Sequence, residues 1–337
     1  VRDALGTRFS AAVVRIERAG RVAFERAYGR LTDDPASPQC AVDTRFDVAS
    51  LTKVLVAAVA LDDVQRDLPA LDAPLLDLVP EWRATAHAPI TLRRILAHDA
   101  GFKSGADYRT LFDRDVASFA LEEELAAPPG ERVIYSDLGF ISLGVIMQRA
   151  AGRSLAAHVE GRLRAWGAVA VTYTPPLPLR ALIPATERDA WRGLVQGTVH
   201  DEKAHLLGGV AGHAGLFCDA RDVALCAEWY LAALHGRATP LHVERAREAV
   251  REQAADPVLR RGLGWALKTR DDNSCGELMS GDTFGHTGFT GTSVWADPQR
   301  DCSVTVLTNA VHFGRSDLRS VRAAVADAAV RALDGAA

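Results

Sequence analysis

β-rich sequence lies at both ends of this chain, with a long, mainly helical stretch between. Ser10–Arg18 and Arg21–Tyr28 read as two strands joined at Ala19-Gly20. Two strands alone are marginal in water and need further partners. The next strand-like runs come far down the chain, at Gly262–Lys268, Thr292–Ala296 and Cys302–Leu307, with Thr283–Thr287 leading into a glycine-rich turn. The economical solution is an α/β (α+β) fold. An antiparallel five-stranded sheet is built from both chain ends and covered by terminal helices, and a mostly helical second lobe completes it. Residues 1–66 with 255–337 are expected to form the sheet lobe and 67–254 the helical lobe, with a ligand cleft between them. Helices are predicted over 50–67, 91–98, 117–127, 138–151, 154–165, 219–235, 240–253 and 316–334. Segment 166–218 is rich in Pro and Gly and too long for a plain connector, which suggests loops that shape a site.

Composition narrows the function classes. Of 337 residues 48% are hydrophobic and 24% charged, with net charge -4, the balance of a globular protein. No basic tract marks a nucleic-acid partner, and no apolar run reaches a membrane span. Five cysteines, an odd number without C-x-x-C spacing, read as free thiols. No signal peptide is visible, so the cytoplasm is favoured; a periplasmic or secreted location stays open if a leader was removed. Only four of the 39 basic residues are lysines, Lys53, Lys103, Lys203 and Lys268. A lysine at a chemically useful spacing therefore carries weight.

One such lysine follows Ser50. In Ser50-Leu51-Thr52-Lys53 the serine opens a helical pattern and the lysine lies one turn later on the same face. A serine hydroxyl attacks only when something removes its proton, and a lysine can do so. The helix N-terminus adds N–H groups beside a developing oxyanion. The plain alternative is a capping serine and a solvated lysine. Tyr135-Ser136-Asp137 sits at a loop-to-helix junction, where a tyrosine could shuttle a proton; a packed tyrosine with Asp137 as an N-cap fits equally well. His286-Thr287-Gly288 ends a predicted strand, and Gly288 permits close backbone approach there.

In this order the three motifs resemble those of the serine β-lactamase and penicillin-binding protein superfamily: S-x-x-K, then Y-x-N or S-x-N, then K-T-G. The segments LLDLVPEW (75–82), LRRILAHDAGF (92–102) and PGERVIYSDLGFISLG (129–144) look like its class C branch, with its esterase and D-peptidase relatives. VHDEKAHLLGGVAGHAGLF (199–217) and GHTGFTGTSVW (285–295) look like one subgroup of β-lactamase-related serine hydrolases. The resemblance spans roughly residues 10 to 330. It implies a serine hydrolase that works through an acyl-enzyme on an ester, amide or peptide-like substrate. Ser50 matches the nucleophile, and Lys53 with Tyr135 matches the pair that activates it. The N–H groups of Ser50 and Phe289 match the oxyanion hole.

Two positions depart from the pattern. Asp137 stands where asparagine is usual, and His286 where β-lactamases carry lysine. Asp137 is expected to pair with Lys53 and push the base role toward Tyr135. Relative to the pattern the pocket gains a negative charge and loses a fixed positive one. Anionic β-lactams are therefore expected to be poor substrates, improving only as His286 protonates toward pH 6, with short acyl esters or D-amino-acid amides better. Thr287, Gly288 and His213 complete the expected substrate-binding set, His213 held near the site by backbone hydrogen bonds. A DD-carboxypeptidase, a true β-lactamase and a sensor that acylates without turnover remain alternatives. A metal hydrolase built on His200, Asp201, Glu202, His205 and His213 is the rival class. The spacing of His200 and His205 is not that of H-E-x-x-H, so no metal or cofactor is assigned. The expected partner is a small-molecule or peptide-like substrate, and no oligomeric state is assigned.

Overall fold

The computed structural model describes residues 1–64, 66–256, 258–270, 273–315 and 317–335. Strands Ala11–Arg18 and Arg21–Gly29 pair antiparallel. Their turn, Ala19-Gly20, has positive φ at both residues, 50° and 72°, the backbone twist that a two-residue hairpin favours. The other edge of Ala11–Arg18 pairs with Cys302–Thr308, placing Val13 opposite Leu307 and Val14 opposite Val306. Cys302–Thr308 pairs in turn with Ser293–Asp297, and that strand with Phe284–Thr287. Both chain ends therefore share one antiparallel sheet.

Among the described residues the sheet has eight strands rather than the five expected. Ala266–Leu267, Arg260–Arg261 and Ala254–Ala255 extend it beyond Phe284–Thr287. The run 262–268 was expected as one strand. It is interrupted at Gly264, whose φ is +81° and where a Cβ would lie 2.4 Å from the Ala57 Cβ. Two-residue strands are too short for alternation to show in sequence.

All seven residues of Cys302–Thr308 are buried, so both faces of the sheet are covered. On one face Val14, Val304 and Val306 pack with Ala326, Ala329 and Val330 of helix Arg319–Gly335. On the other, Val13, Leu307 and Val294 join the main core, where helix Ala220–Leu234 crosses the sheet. That helix belongs to the segment expected as the helical lobe, yet it is a sheet-covering element. Helix Leu51–Asp63 is buried all round except at Asp62, the mark of a core helix rather than an amphipathic one. The predicted helix 240–253 contracts to Val243–Ala249, and 117–127 to Val116–Glu122. Segment 166–218 holds only short elements, among them helix Glu202–Leu206.

A buried side chain fastens the first strand to the last. Asn309 Oδ1 accepts the N–H groups of Ser10 and Ala11 at 3.1 and 3.0 Å. Its Nδ2 donates to Ser10 Oγ at 2.9 Å and to the Ala185 carbonyl at 2.8 Å. All five cysteines are free, four of them buried. Among the described residues no helix is long and apolar enough to cross a membrane.

Candidate active site

The backbone that delivers Ser50 is pinned from below. Strand Phe46–Asp47 leads into Val48 and Ala49, and Ala49 has φ +47°, a left-handed conformation costly for a residue with a Cβ. The buried Asp47 carboxylate holds it there, accepting the Ala49 N–H at 2.9 Å and the His200 N–H at 2.6 Å. Thr290 and Thr292 hydroxyls donate to the carbonyls of Asp47 and Val48 at 2.8 and 3.0 Å. These bonds tie the Ser50 segment to the loop after Phe284–Thr287.

Ser50 occupies the N-cap position of helix Leu51–Asp63, but its hydroxyl caps nothing. It faces Lys53 instead. The fully buried ammonium of Lys53 donates to Ser50 Oγ at 3.0 Å, Asp137 Oδ1 at 2.9 Å and the His213 carbonyl at 3.1 Å. It also lies 4.8 Å from the centre of the Tyr135 ring. Burial alone would lower the Lys53 pKa, but Asp137 and Tyr135 outweigh it and hold the group firmly protonated. An ammonium cannot take the Ser50 proton; it can hold the hydroxyl in place and support negative charge nearby.

Tyr135 arrives on the loop that follows the Pro128–Gly130 turn. Its ring lies 4.7 Å from the His98 ring and 5.8 Å from that of His286. The Arg261 guanidinium sits 5.2 Å from its centre on the sheet side. Two cations, Lys53 and Arg261, thus lie 4.8 and 5.2 Å from the centre of its ring. Ser136, not Asp137, caps helix Asp137–Ala151, its Oγ accepting the Gly139 N–H at 3.0 Å. This frees Asp137, the first helical residue, to face Lys53.

Asp137 belongs to a longer chain of charges. Its second oxygen lies 3.3 Å from Lys203 Nζ, which lies 3.3 Å from Asp201 Oδ2. Asp201 Oδ1 accepts from His213 Nε2 at 2.8 Å. Burial pushes both carboxyls up, but the adjoining cations prevail and hold Asp137 and Asp201 below the usual carboxylate range. His213, expected among the substrate-binding residues, meets Lys53 through its carbonyl and turns its buried ring to Asp201, and it is not among the residues that line the cavity.

The metal-ligand reading of 200–213 does not assemble. His200 Nε2 pairs with Glu187 at 2.7 Å, Glu202 pairs with Arg315 at 3.0 Å, and His205 sits edge-on to Trp191. Asp137, Asp201 and His213 do place ligand-type atoms within 4.8 Å of one another. Their carboxylates, however, are engaged by the ammonium groups of Lys53 and Lys203.

His286, Thr287, Gly288 and Phe289 line a cavity of about 710 Å³ together with Ser50 and Tyr135. The N–H groups of Ser50 and Phe289 find no acceptor among the described residues. The Phe289 ring rests between the His200 ring at 5.6 Å and the Arg315 guanidinium at 5.3 Å. Gly288 passes so close to the serine segment that a Cβ there would meet the Val48 carbonyl at 2.5 Å.

The expected loss of fixed positive charge is corrected by two arginines that motif reading missed. Arg261, on Arg260–Arg261, and Arg322, on helix Arg319–Gly335, both line the cavity. Neither forms an ion pair among the described residues, and the buried Nε of each has no partner. Arg322 donates to the Gly288 carbonyl at 3.0 Å. The four charges of Lys53, Asp137, Lys203 and Asp201 balance, and the positive charge that Arg261 and Arg322 bring to the cavity is offset only at longer range, by Asp256 and Asp317. Burial, then Arg261 and Lys53, push the His286 pKa down to about 3. It is neutral at pH 6, and no gain from its protonation follows there. The scarcity of lysine flagged Lys203 without a role; the abundance of arginine hid Arg261 and Arg322.

A family model described as Beta-lactamase matches residues 1–328. A putative D-alanyl-D-alanine carboxypeptidase of Salmonella agona (strain SL483) is 28% identical over 306 residues, covering 80% of this chain and 70% of that one. The solved structure of EstCE1, a hydrolase with promiscuous acyltransferase activity, superposes with TM-score 0.79 at 22% identity, covering 98% and 96% of the two chains. A β-lactamase/D-alanine carboxypeptidase from Pseudomonas syringae superposes with TM-score 0.78 at 16% identity, covering 98% and 96%. At such identities these two structures establish the fold alone.

Proposed function

Because this chain belongs to the Beta-lactamase family, whose members are serine hydrolases working through an acyl-enzyme, we propose that Ser50 is the acylated residue and that the substrate carries a carboxylate. Tyr135 takes the Ser50 proton as the hydroxyl attacks the scissile carbonyl, and returns it to the leaving group. Lys53 stays charged, holds Ser50 and supports the phenolate. The N–H groups of Ser50 and Phe289 receive the oxyanion. Water then attacks the ester, with Tyr135 as base again, and releases Ser50.

The observation that carries the substrate class is a pair of guanidiniums without an ion-pair partner among the described residues, buried Arg261 and half-buried Arg322, in the cavity lined by Ser50. A buried charge without a partner is costly, and a substrate carboxylate would offset that cost. The similarity to a putative D-alanyl-D-alanine carboxypeptidase supports the same reading, since a peptide ending in D-alanine bears such a group. Neutral esters, favoured by sequence alone, become the poorer class.

The test compares an acylated D-alanyl-D-alanine peptide with its C-terminal amide, and benzylpenicillin with a neutral acyl ester. The carboxylate forms are expected to have the higher kcat/KM. Arg261→Ala and Arg322→Ala are expected to narrow that preference by about ten- to a hundredfold, one charged hydrogen bond each. Equal handling of acid and amide would refute the substrate class. Ser50→Ala is expected to abolish both turnover and phosphonate labelling; labelling elsewhere would refute the nucleophile.

A further inference from the structure

Lys203 touches neither Ser50 nor Tyr135, yet it shares the Asp137 carboxylate with Lys53, each ammonium on its own oxygen, at 3.3 and 2.9 Å. Its other contact, Asp201, is shared with His213, whose carbonyl is the third acceptor of Lys53. Helix Glu202–Leu206 and the loop to His213 thus form a closed circuit of charge that begins and ends on Lys53.

We propose that Lys203 is a positioning residue that sets the pH at which the Ser50 centre becomes reactive, by adding a fixed cation one carboxylate away from the proton-transferring groups. The proposal rests on the reading that Ser50 is acylated through Tyr135 and Lys53. Interacting groups at this distance release protons in macroscopic steps that belong to the set and not to one residue, and the step that governs reactivity is one of these. The groups facing that step are Lys53 on its helix, Tyr135 and Asp137 at the next helix start, and His98 beside the Tyr135 ring. Asp201 and Lys203 face it from the short helix, His213 from the loop beyond, and His286 and Arg261 from the sheet. Lys53, Lys203 and Arg261 are its cations and Asp137 and Asp201 its anions.

The sign follows from the charges. A cation eases the loss of a proton, and an anion opposes it. With Lys203 gone, Asp137 serves Lys53 alone and the positive field falls, so reactivity should begin at higher pH. With Asp201 neutralised, the field rises and reactivity should begin at lower pH. A merely structural lysine would lower activity at every pH without moving the profile.

The experiment follows the rate at which a fluorophosphonate labels Ser50 in the full chain as a function of pH, so that no substrate need be known. Lys203→Met is expected to move the acidic limb up by about one pH unit, a tenfold loss of rate on that limb. Asp201→Asn is expected to move it down, and Lys203→Arg to restore it. The two opposite shifts keep the test decisive even where one variant folds poorly. Limbs that stay in place, or that move the same way in both variants, would overturn the role of Lys203. Failure of the native protein to label at Ser50 would instead overturn the underlying reading.

Discussion

Adding one methyl group at Gly288 tests whether the oxyanion site depends on the close packing of the sheet against the serine segment. The new carbon would meet Thr292 Oγ1 at 2.1 Å, the Val48 carbonyl oxygen at 2.5 Å and the Ala49 Cβ at 3.4 Å. Thr292 can rotate, at the cost of its bond to the Val48 carbonyl. The Val48 carbonyl is backbone, fixed by the strained turn before Ser50, and lies about 1 Å inside ordinary contact. Strand and serine segment must therefore separate by about that distance, which spreads the N–H groups of Phe289 and Ser50. A 1 Å misplacement costs about a hundredfold, as does loss of one oxyanion donor. In Gly288→Ala, acylation by an activated neutral ester should accordingly fall about a hundredfold. Circular dichroism should stay native, with stability lower by about 1–3 kcal/mol. Stopped-flow measurement of the acylation burst reads the first effect and thermal unfolding the second. A loss below about fivefold, near 1 kcal/mol of barrier, would refute the geometric argument.

Three further outcomes are expected. Tyr135→Phe should slow acylation by about 10²–10⁴, the range for a lost general base; near-normal acylation would hand the base role to Lys53. His286 is neutral in the fold down to about pH 3, whereas the unfolded chain takes a proton there below about 6.5. The native state therefore loses up to about 1.4 kcal/mol per pH unit between 6.5 and 3 on this account, and His286→Gln should flatten that acid limb in denaturant titrations. Exhaustive chelation should leave turnover unchanged, because Asp137 and Asp201 are committed to ammonium groups; loss of activity restored by Zn²⁺ would reverse that reading.

Sequence carried the chemistry of this site further than its electrostatics. Ser50, Lys53, Tyr135 and His286 stand in short motifs whose spacing encodes helix faces and strand ends, and the structure brings them together around one cavity. The pairing of Lys53 with Asp137 was legible as well, because an acid where an amide is usual beside a motif lysine invites it. Arg261 and Arg322 were not. Each lies in a segment with several arginines, and only the fold brings Arg261 from a short strand and Arg322 from the last helix to one cavity without an ion-pair partner among the described residues. Asp47 escaped notice for a related reason: nothing in Asp47-Val48-Ala49-Ser50 reveals that a buried carboxylate must hold the Ala49 turn. The sheet was legible where strands alternate over five or more residues, and illegible where two-residue pairings depend on neighbours already in place.

The joining of residues 11–18 to residues 302–308 also sets a timetable. During synthesis the first hairpin is complete long before its central partner exists, and contacts this distant in sequence form slowly. Until Cys302–Thr308 inserts, Ala11–Arg18 offers an open edge, the kind of surface on which chains aggregate. Asn309 closes that edge, since the N–H groups of Ser10 and Ala11 have it as their acceptor. The cavity beside Ser50 gains Phe289 in the same late stage. A growing chain thus holds Ser50 for most of its synthesis without the far wall of its cavity, which forms together with the protection of the sheet.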